Sequence, residues 1–332
     1  MTGIARFSRP LFKCLVLMGA VLALCGFTTT TLDPDQAEIV TSDVAHFWQA
    51  FDDAAKVPQA ERVGVYTKEY FDLGSQGLKD FIAFRHVTPG KLAEHVEQNR
   101  DYYAEIRPFI GKVVGQKAAI AVAFKHLKAI YPDAKFPAHI YFVVGPQRGV
   151  GMNSDNGIIF AAEMLATPPG TPYDYRKVSA DFVPFGAVHE TVHFDQAYQA
   201  GDGTTLLQGV INEGTADFIA SLVLPEPGVR QITDRWQYGC PHEAELAARF
   251  AGELDATKLE PWLFDHNPDT GWPPDMGYWL GYRIAQTYYD RAADKAAALR
   301  ALLQVTDFKA LLKASGYPEN RPACAPEKPV RQ

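Results

Sequence analysis

Residues 186–196 read Gly-Ala-Val-His-Glu-Thr-Val-His-Phe-Asp-Gln. His189 and His193 are four apart, so a helix carries both imidazoles on one face, one turn apart, where they can share a metal ion. Glu190 follows the first histidine, and its carboxylate can lie beside the position that such an ion leaves open for water. That set suits hydrolysis by a zinc-activated water with Glu190 as general base. The plain alternative is a helix with two surface or core-edge histidines. A catalytic zinc site also needs a third protein ligand. Residues 212–217, Asn-Glu-Gly-Thr-Ala-Asp, offer one, with Glu213 twenty positions after His193. Two antiparallel helices joined through Gly201-Asp202-Gly203 can bring Glu213 opposite the histidine pair. Asp217, four residues on, shares the face of Glu213 and is placed to accept the spare imidazole N–H of a ligand. Asp195 competes as a ligand on paper, but two residues after His193 it points to another face. A version with a third histidine needs Gly three and His six residues after His193. Those positions are Gln196 and Gln199, which excludes it.

The surrounding periodicity supplies elements to hold these residues. Apolar spacings near three and four predict helices over about 43–55, 77–84, 89–114 and 116–131, the last stopped by Pro132. The period then changes. His139 to Val144 and Gly157 to Ala162 are β-branched and aromatic runs that read as two strands of one small sheet, separated by the turn-rich stretch 149–156. Helical patterns return at about 184–199, 205–224, 241–252, 276–293, 295–304 and 307–314. The expected class is α+β, mostly α. One body spans 28–317, and a Pro-rich, charged tail covers 318–332.

The two ends frame the compartment. Arg6, Arg9 and Lys13 precede Cys14 to Phe27, an apolar stretch too short for a comfortable membrane span and about right for a secretory signal over 1–27. Leu22-Ala23-Leu24-Cys25-Gly26 resembles a bacterial lipoprotein box with Cys25 as the lipidated residue, although the residue before that Cys is usually small and here is Leu24. Lipidation, ordinary cleavage and an uncleaved anchor all put the body outside the cytoplasm, exported to a cell envelope, with membrane contact only through this segment. The chain has 32 basic and 39 acidic residues; without the first 24 residues the balance is 29 to 39. Such an acidic body argues against an electrostatic grip on nucleic acid or an anionic membrane. Hydrophobic content of 47% argues against wholesale disorder. Beyond the signal only Cys240 and Cys324 remain, either a disulfide tying the tail to the body or two isolated thiols.

The two motifs, His189-Glu190-Thr191-Val192-His193 and Asn212-Glu213-Gly214-Thr215-Ala216-Asp217, resemble those of thermolysin-like zinc peptidases with a glutamate third ligand. Over about residues 40–317 the chain resembles predicted zinc-dependent proteases of the bacterial envelope related to gliding-motility lipoproteins. That likeness rests on Asp43-Val44-Ala45-His46-Phe47-Trp48 and Gly277-Tyr278-Trp279-Leu280-Gly281-Tyr282-Arg283. The resemblance implies a zincin-like metallopeptidase fold with a small sheet packed on the metal-binding helices. It also implies Zn2+ held by His189, His193 and Glu213, and a peptide or protein substrate. The aminopeptidase signature Gly-x-Met-Glu-Asn is absent. A second oxyanion donor is expected from Tyr278, Tyr282 or Arg283, with Tyr282 favoured because Gly281 allows close packing; aromatics at this spacing also serve plain cores. By analogy, Gly157 to Ala162 is the edge strand that pairs with substrate, an ordinary hairpin strand being the other reading. Tyr173 to Lys177 is a surface loop that can cover the cleft. The competing functional readings are a catalytically idle envelope binding or scaffold protein and a zinc hydrolase of a non-peptide bond. A retained Glu190 argues against idleness, since a scaffold needs no general base.

Overall fold

Four short strands pair into the sheet that backs the site. The computed structural model describes residues 30–171, 178–224, 230–265 and 270–324. The signal with Cys25, the Tyr173–Lys177 cluster and His266 lie outside these residues. Strand β1 (Thr30–Thr31) pairs with β3 (Phe136–Pro137), and a second sheet runs β2 (Glu38–Val40), β4 (His139–Val143), β6 (Gly157–Ala161), β5 (Gly151–Ser154). The first three strands of that sheet are parallel, with Ile39 beside Ile140 and Ile140 beside Ile158. β5 returns antiparallel to β6, with Gly151 opposite Phe160. β4 and β6 read as continuous apolar runs because both of their faces are covered.

Helices α1 (Ser42–Ala54), α2 (Gln59–Tyr66), α3 (Gln76–Phe84), α4 (Pro89–Gln98), α5 (Arg100–Ile106), α6 (Ile110–Val114) and α7 (Lys117–Ile130) precede the central strands. They carry an aromatic cluster in which Phe47 meets Trp48, Phe51, Tyr66, Tyr70 and Tyr103. A short helix α8 (Ala162–Leu165) follows β6. The second half is α9 (Val183–Asp195), α10 (Leu206–Val223), α11 (Arg230–Ala251), α12 (Met276–Arg291), α13 (Lys295–Leu303) and α14 (Phe308–Ser315). The protein is therefore α+β and mostly helical. No helix of the described residues is long and apolar enough to cross a membrane.

Several expected boundaries move. The single pattern over 89–114 is three helices, broken at Asn99 (φ −123°) and by a 3-10 turn through Pro108. α11 begins eleven residues before the expected start, with Pro241 inside it. Ile232 and Trp236 of its first half are buried, and His242 Nδ1 lies 2.7 Å from the Tyr238 carbonyl. Core contacts thus carry the helix across a proline that removes one bond. The tail is not wholly free. Cys240 and Cys324 form a disulfide with Cα atoms 5.4 Å apart. Beside it the Pro322 carbonyl accepts from Arg283, and Arg321 pairs with Glu243.

Candidate metal centre

α9 can carry chemistry because it is buried on nearly every side. Pro184 sits in its first turn, where its fixed φ suits the helix and no bond is lost. Val183, Phe185, Val188 and Val192 are core residues, so the helix has no water-facing stripe and its polar residues must find partners inside. α10 starts with a reciprocal cap: Thr205 Oγ1 accepts from the Gln208 N–H, and Gln208 Oε1 accepts from the Thr205 N–H at 2.8 Å. It is likewise buried all round and packs on α9.

These two helices bring three side chains to one point. His189 Nε2 and His193 Nε2 are 3.2 Å apart. Glu213 Oε2 lies 3.3 Å from the first and 3.6 Å from the second. Ligands held about 2.0–2.1 Å from a tetrahedral zinc stand about 3.3 Å from one another, so the triangle has the size that zinc requires. The outer nitrogens are committed elsewhere. His189 Nδ1 is 2.8 Å from Asp217 Oδ1, and His193 Nδ1 is 2.7 Å from Gln196 Oε1. Donation from each Nδ1–H leaves the Nε2 lone pairs directed at each other and at a carboxylate. That arrangement is repulsive until a cation joins it. The electrostatics agree: burial opposes a charge on His189, yet Asp217 and Glu213 outweigh it and hold this group well above its ordinary range. Glu213 is lowered, because His193, His189 and Tyr278 overcome its burial. Surroundings that favour a proton at this point favour a metal ion there as well. His189, His193 and Glu213 could hold one.

Glu190 lies next to this triangle. Burial raises its carboxyl, against the lowering pull of His189 and His193. Strand β5 passes directly over it: a Cβ on Gly151 would stand 2.9 Å from Glu190 Oε1. Gly157–Ala161 is an inner strand between β4 and β5, so the edge position belongs to Gly151–Ser154 instead. A stretch read as turn is a strand because glycine there admits the Glu190 carboxylate.

The three donor candidates separate. α12 crosses α10 backbone to backbone, since a Cβ on Gly281 would stand 1.8 Å from the Val210 carbonyl oxygen and one on Gly214 would stand 2.2 Å from Gly281 C. This contact, not access to the site, is what Gly281 provides. It brings Tyr278 over the ligands, its ring stacked 6.0 Å from that of His189 and close enough to Glu213 to help lower that carboxyl. Tyr282, the favoured candidate, turns instead to α10, with its hydroxyl 3.0 Å from Ser221 Oγ and its ring against Phe218 and Trp236. Arg283 is 1% exposed and faces away from the triangle, its guanidinium held by Glu243 Oε1 at 2.9 Å, by Gln286 and by Pro322. Asp195 also points elsewhere and accepts the Lys135 N–H.

Two supports were not foreseen. Gln196 orients His193 and is itself fixed by donating to the Asn212 carbonyl at 2.7 Å. Arg235 of α11 reaches Asp217 Oδ2 at 3.8 Å and Asp275 Oδ2 at 3.7 Å, donates to the Pro274 carbonyl, and lies 4.9 Å over the Tyr278 ring. The signal for Gln196 was its place one turn after His193. Nothing local marked Arg235. No family model, no curated protein and no solved structure matches this chain.

Proposed function

We propose that the protein is a zinc-dependent peptidase of zincin-like fold, exported to a bacterial cell envelope, with His189, His193 and Glu213 as metal ligands and Glu190 as general base. The observation that carries this reading is the nitrogen–nitrogen–oxygen triangle of 3.2, 3.3 and 3.6 Å with a half-buried Glu190 at its side. When bound, zinc would supply Lewis acidity that lowers the pKa of a water to about 7. Every other duty falls on the chain. Asp217 and Gln196 hold the two imidazoles in the tautomer that leaves Nε2 free. Glu190 accepts the water proton on a carboxylate oxygen and hands it to the departing amine nitrogen, a task suited to a carboxyl already raised by burial. Tyr278 offers its hydroxyl to the oxygen on which negative charge develops. The outer edge of β5, beside Glu190, pairs with an extended peptide and holds the scissile amide in place.

Export has support in the basic, then apolar, N-terminal 27 residues and in a disulfide, which persists in an oxidising compartment. Elemental analysis of the purified protein and hydrolysis of a proteome-derived peptide library, with and without chelator, test the reading. About one zinc per chain with chelator-sensitive cleavage is the expected result. Bound zinc without cleavage of any peptide would leave an idle binding protein.

A further inference from the structure

Beside the stretch that passes over Glu190, one basic side chain has a buried nitrogen without a partner. Arg85 caps α3, its N–H bonded to the Phe81 carbonyl at 2.9 Å. The side chain is half-buried, its Nε is shut off from solvent, and that atom has no hydrogen-bond partner. Among the described residues Arg85 makes no ion pair. A guanidinium withdrawn from water ordinarily sits in a carboxylate fork, because an unmatched buried charge is costly. The acid to which it is coupled is Glu190, with Tyr278 also in its field.

The geometry joins Arg85 to the site through one segment. A Cβ on Gly149 would stand 2.3 Å from Arg85 Nη2, and a Cβ on Gly151 would stand 2.9 Å from Glu190 Oε1. Gly149 also needs glycine for its φ of +74°. Two glycines, two residues apart, thus let a guanidinium and the base carboxylate lie against the same short stretch. The preceding residues are fixed. Tyr70 and Tyr103 hold the Val144 and Gly145 carbonyls at 2.7 and 2.6 Å, and the buried Glu163 accepts the Gln147 N–H. Arg85 thus lies against a well-held stretch without a salt bridge of its own, as a residue awaiting a ligand would.

We propose that Arg85 is a substrate-binding residue whose guanidinium takes a carboxylate of the peptide. The carboxylate is either the free C-terminus or an acidic side chain near the scissile bond. This inference rests on the peptidase reading and adds a substrate class to it. A planar fork can accept both carboxylate oxygens, and a charge-assisted pair of this kind is worth about 10- to 100-fold in affinity.

The experiment measures binding of reduced-amide peptides, which cannot be cleaved, to the zinc-loaded full-length protein. Each peptide is made as the free acid, as the C-terminal amide, and as the amide with Asp or Asn at single internal positions. The free acid or the Asp peptide should bind at least about 10-fold more tightly than its neutral counterpart. Which of the two does so identifies the source of the carboxylate. Arg85→Gln should abolish that difference while leaving the affinity for neutral peptides and the zinc content unchanged, and Arg85→Lys should restore part of it. Equal affinity for all forms, no binding of any form, or an equal loss for neutral and anionic peptides in Arg85→Gln would overturn the assignment. If Arg85→Gln fails to fold, the acid-versus-amide series on the unaltered protein and on Arg85→Lys decides by the same criteria. Hydrolysis of ordinary peptides is followed in parallel. Cleavage without carboxylate preference sinks only the Arg85 assignment. Carboxylate-selective binding through Arg85 without any cleavage sinks the peptidase reading and leaves the anion site standing.

Discussion

Two arginine–carboxylate networks lie against helix α12, and they end differently. Near its start, Arg235 spans Asp217 and Asp275 and stacks on Tyr278. Near its middle, Arg283 is enclosed by Glu243, Gln286 and the Pro322 carbonyl, next to the Cys240–Cys324 bridge. The second network is closed, since the donors of Arg283 are directed to groups within the fold. The first is open, because its hydrogen bonds run outward from His189 and leave Nε2 facing a point that three ligand atoms share. Similar residue types thus serve as a staple in one place and as a support for a candidate metal site in another. What separates them is where the last unsatisfied valence points.

The largest effect that can break this contrast lies in the open network. Glu190→Gln should lower peptide hydrolysis by about 10²–10⁴-fold with zinc content unchanged, measured by turnover and elemental analysis. The closed network should respond in stability alone. Cys324→Ser opens a loop with a sequence separation of 84 and should cost about 4 kcal/mol in chemical denaturation, while zinc binding persists.

Glu163 offers a further test, by pH. It is fully buried and burial pushes its carboxyl up to about 7. Its unfolded value is near 4.5, so the folded state holds the extra proton between these values. Stability is then greatest below about pH 4.5 for this group and is lost as pH rises toward 7, by roughly 3 kcal/mol in all. Denaturation of Glu163→Gln across pH 5–8 should lack this component. Smaller still, Asp217→Asn should cost about 10–100-fold in zinc affinity or activity, since all three ligands remain and only the hold on His189 weakens. Least of all, Tyr282→Phe should change turnover by less than about 3-fold, whereas Tyr278→Phe should lower it by about 10-fold or more. Comparable losses in both would put Tyr282 back at the site.

The sequence made the open network readable because its parts are local. The i,i+4 histidines, the adjacent Glu190 and the Glu213–Asp217 pair each lie within one helical turn, so spacing alone puts them on shared faces. The residues that spacing did not yield come from afar. Arg235 reaches Asp217 from another helix, and Arg85 comes against Gly149 from the end of a helix a hundred residues before the motif. Strand β5 was hidden for a different reason. Gly-Met-Asn-Ser has neither β-branched residues nor alternation, and its glycine answers to Glu190 instead of to strand propensity. Tyr278 and Tyr282 sit one turn apart, and Gly281 made Tyr282 the favoured donor from sequence; the Gly214–Gly281 crossing instead turns Tyr278 to the ligands and Tyr282 to Ser221. The class, mostly helical with a small sheet, was plain from the change of period at His139, while the break at Asn99 and the early start of α11 depended on packing that no single window contains.

The proposed function depends on whether the triangle of His189 Nε2, His193 Nε2 and Glu213 Oε2 is a zinc site or a buried polar cluster. Elemental analysis of the purified protein beside its Glu213→Gln and Glu190→Gln variants tests it most directly. About one zinc per chain is expected in the parent and in Glu190→Gln, and a marked loss of zinc in Glu213→Gln, the change that removes an anionic ligand. No zinc in the parent, even after zinc is added, would contradict it, as would loss of the metal from Glu190→Gln together with its retention in Glu213→Gln.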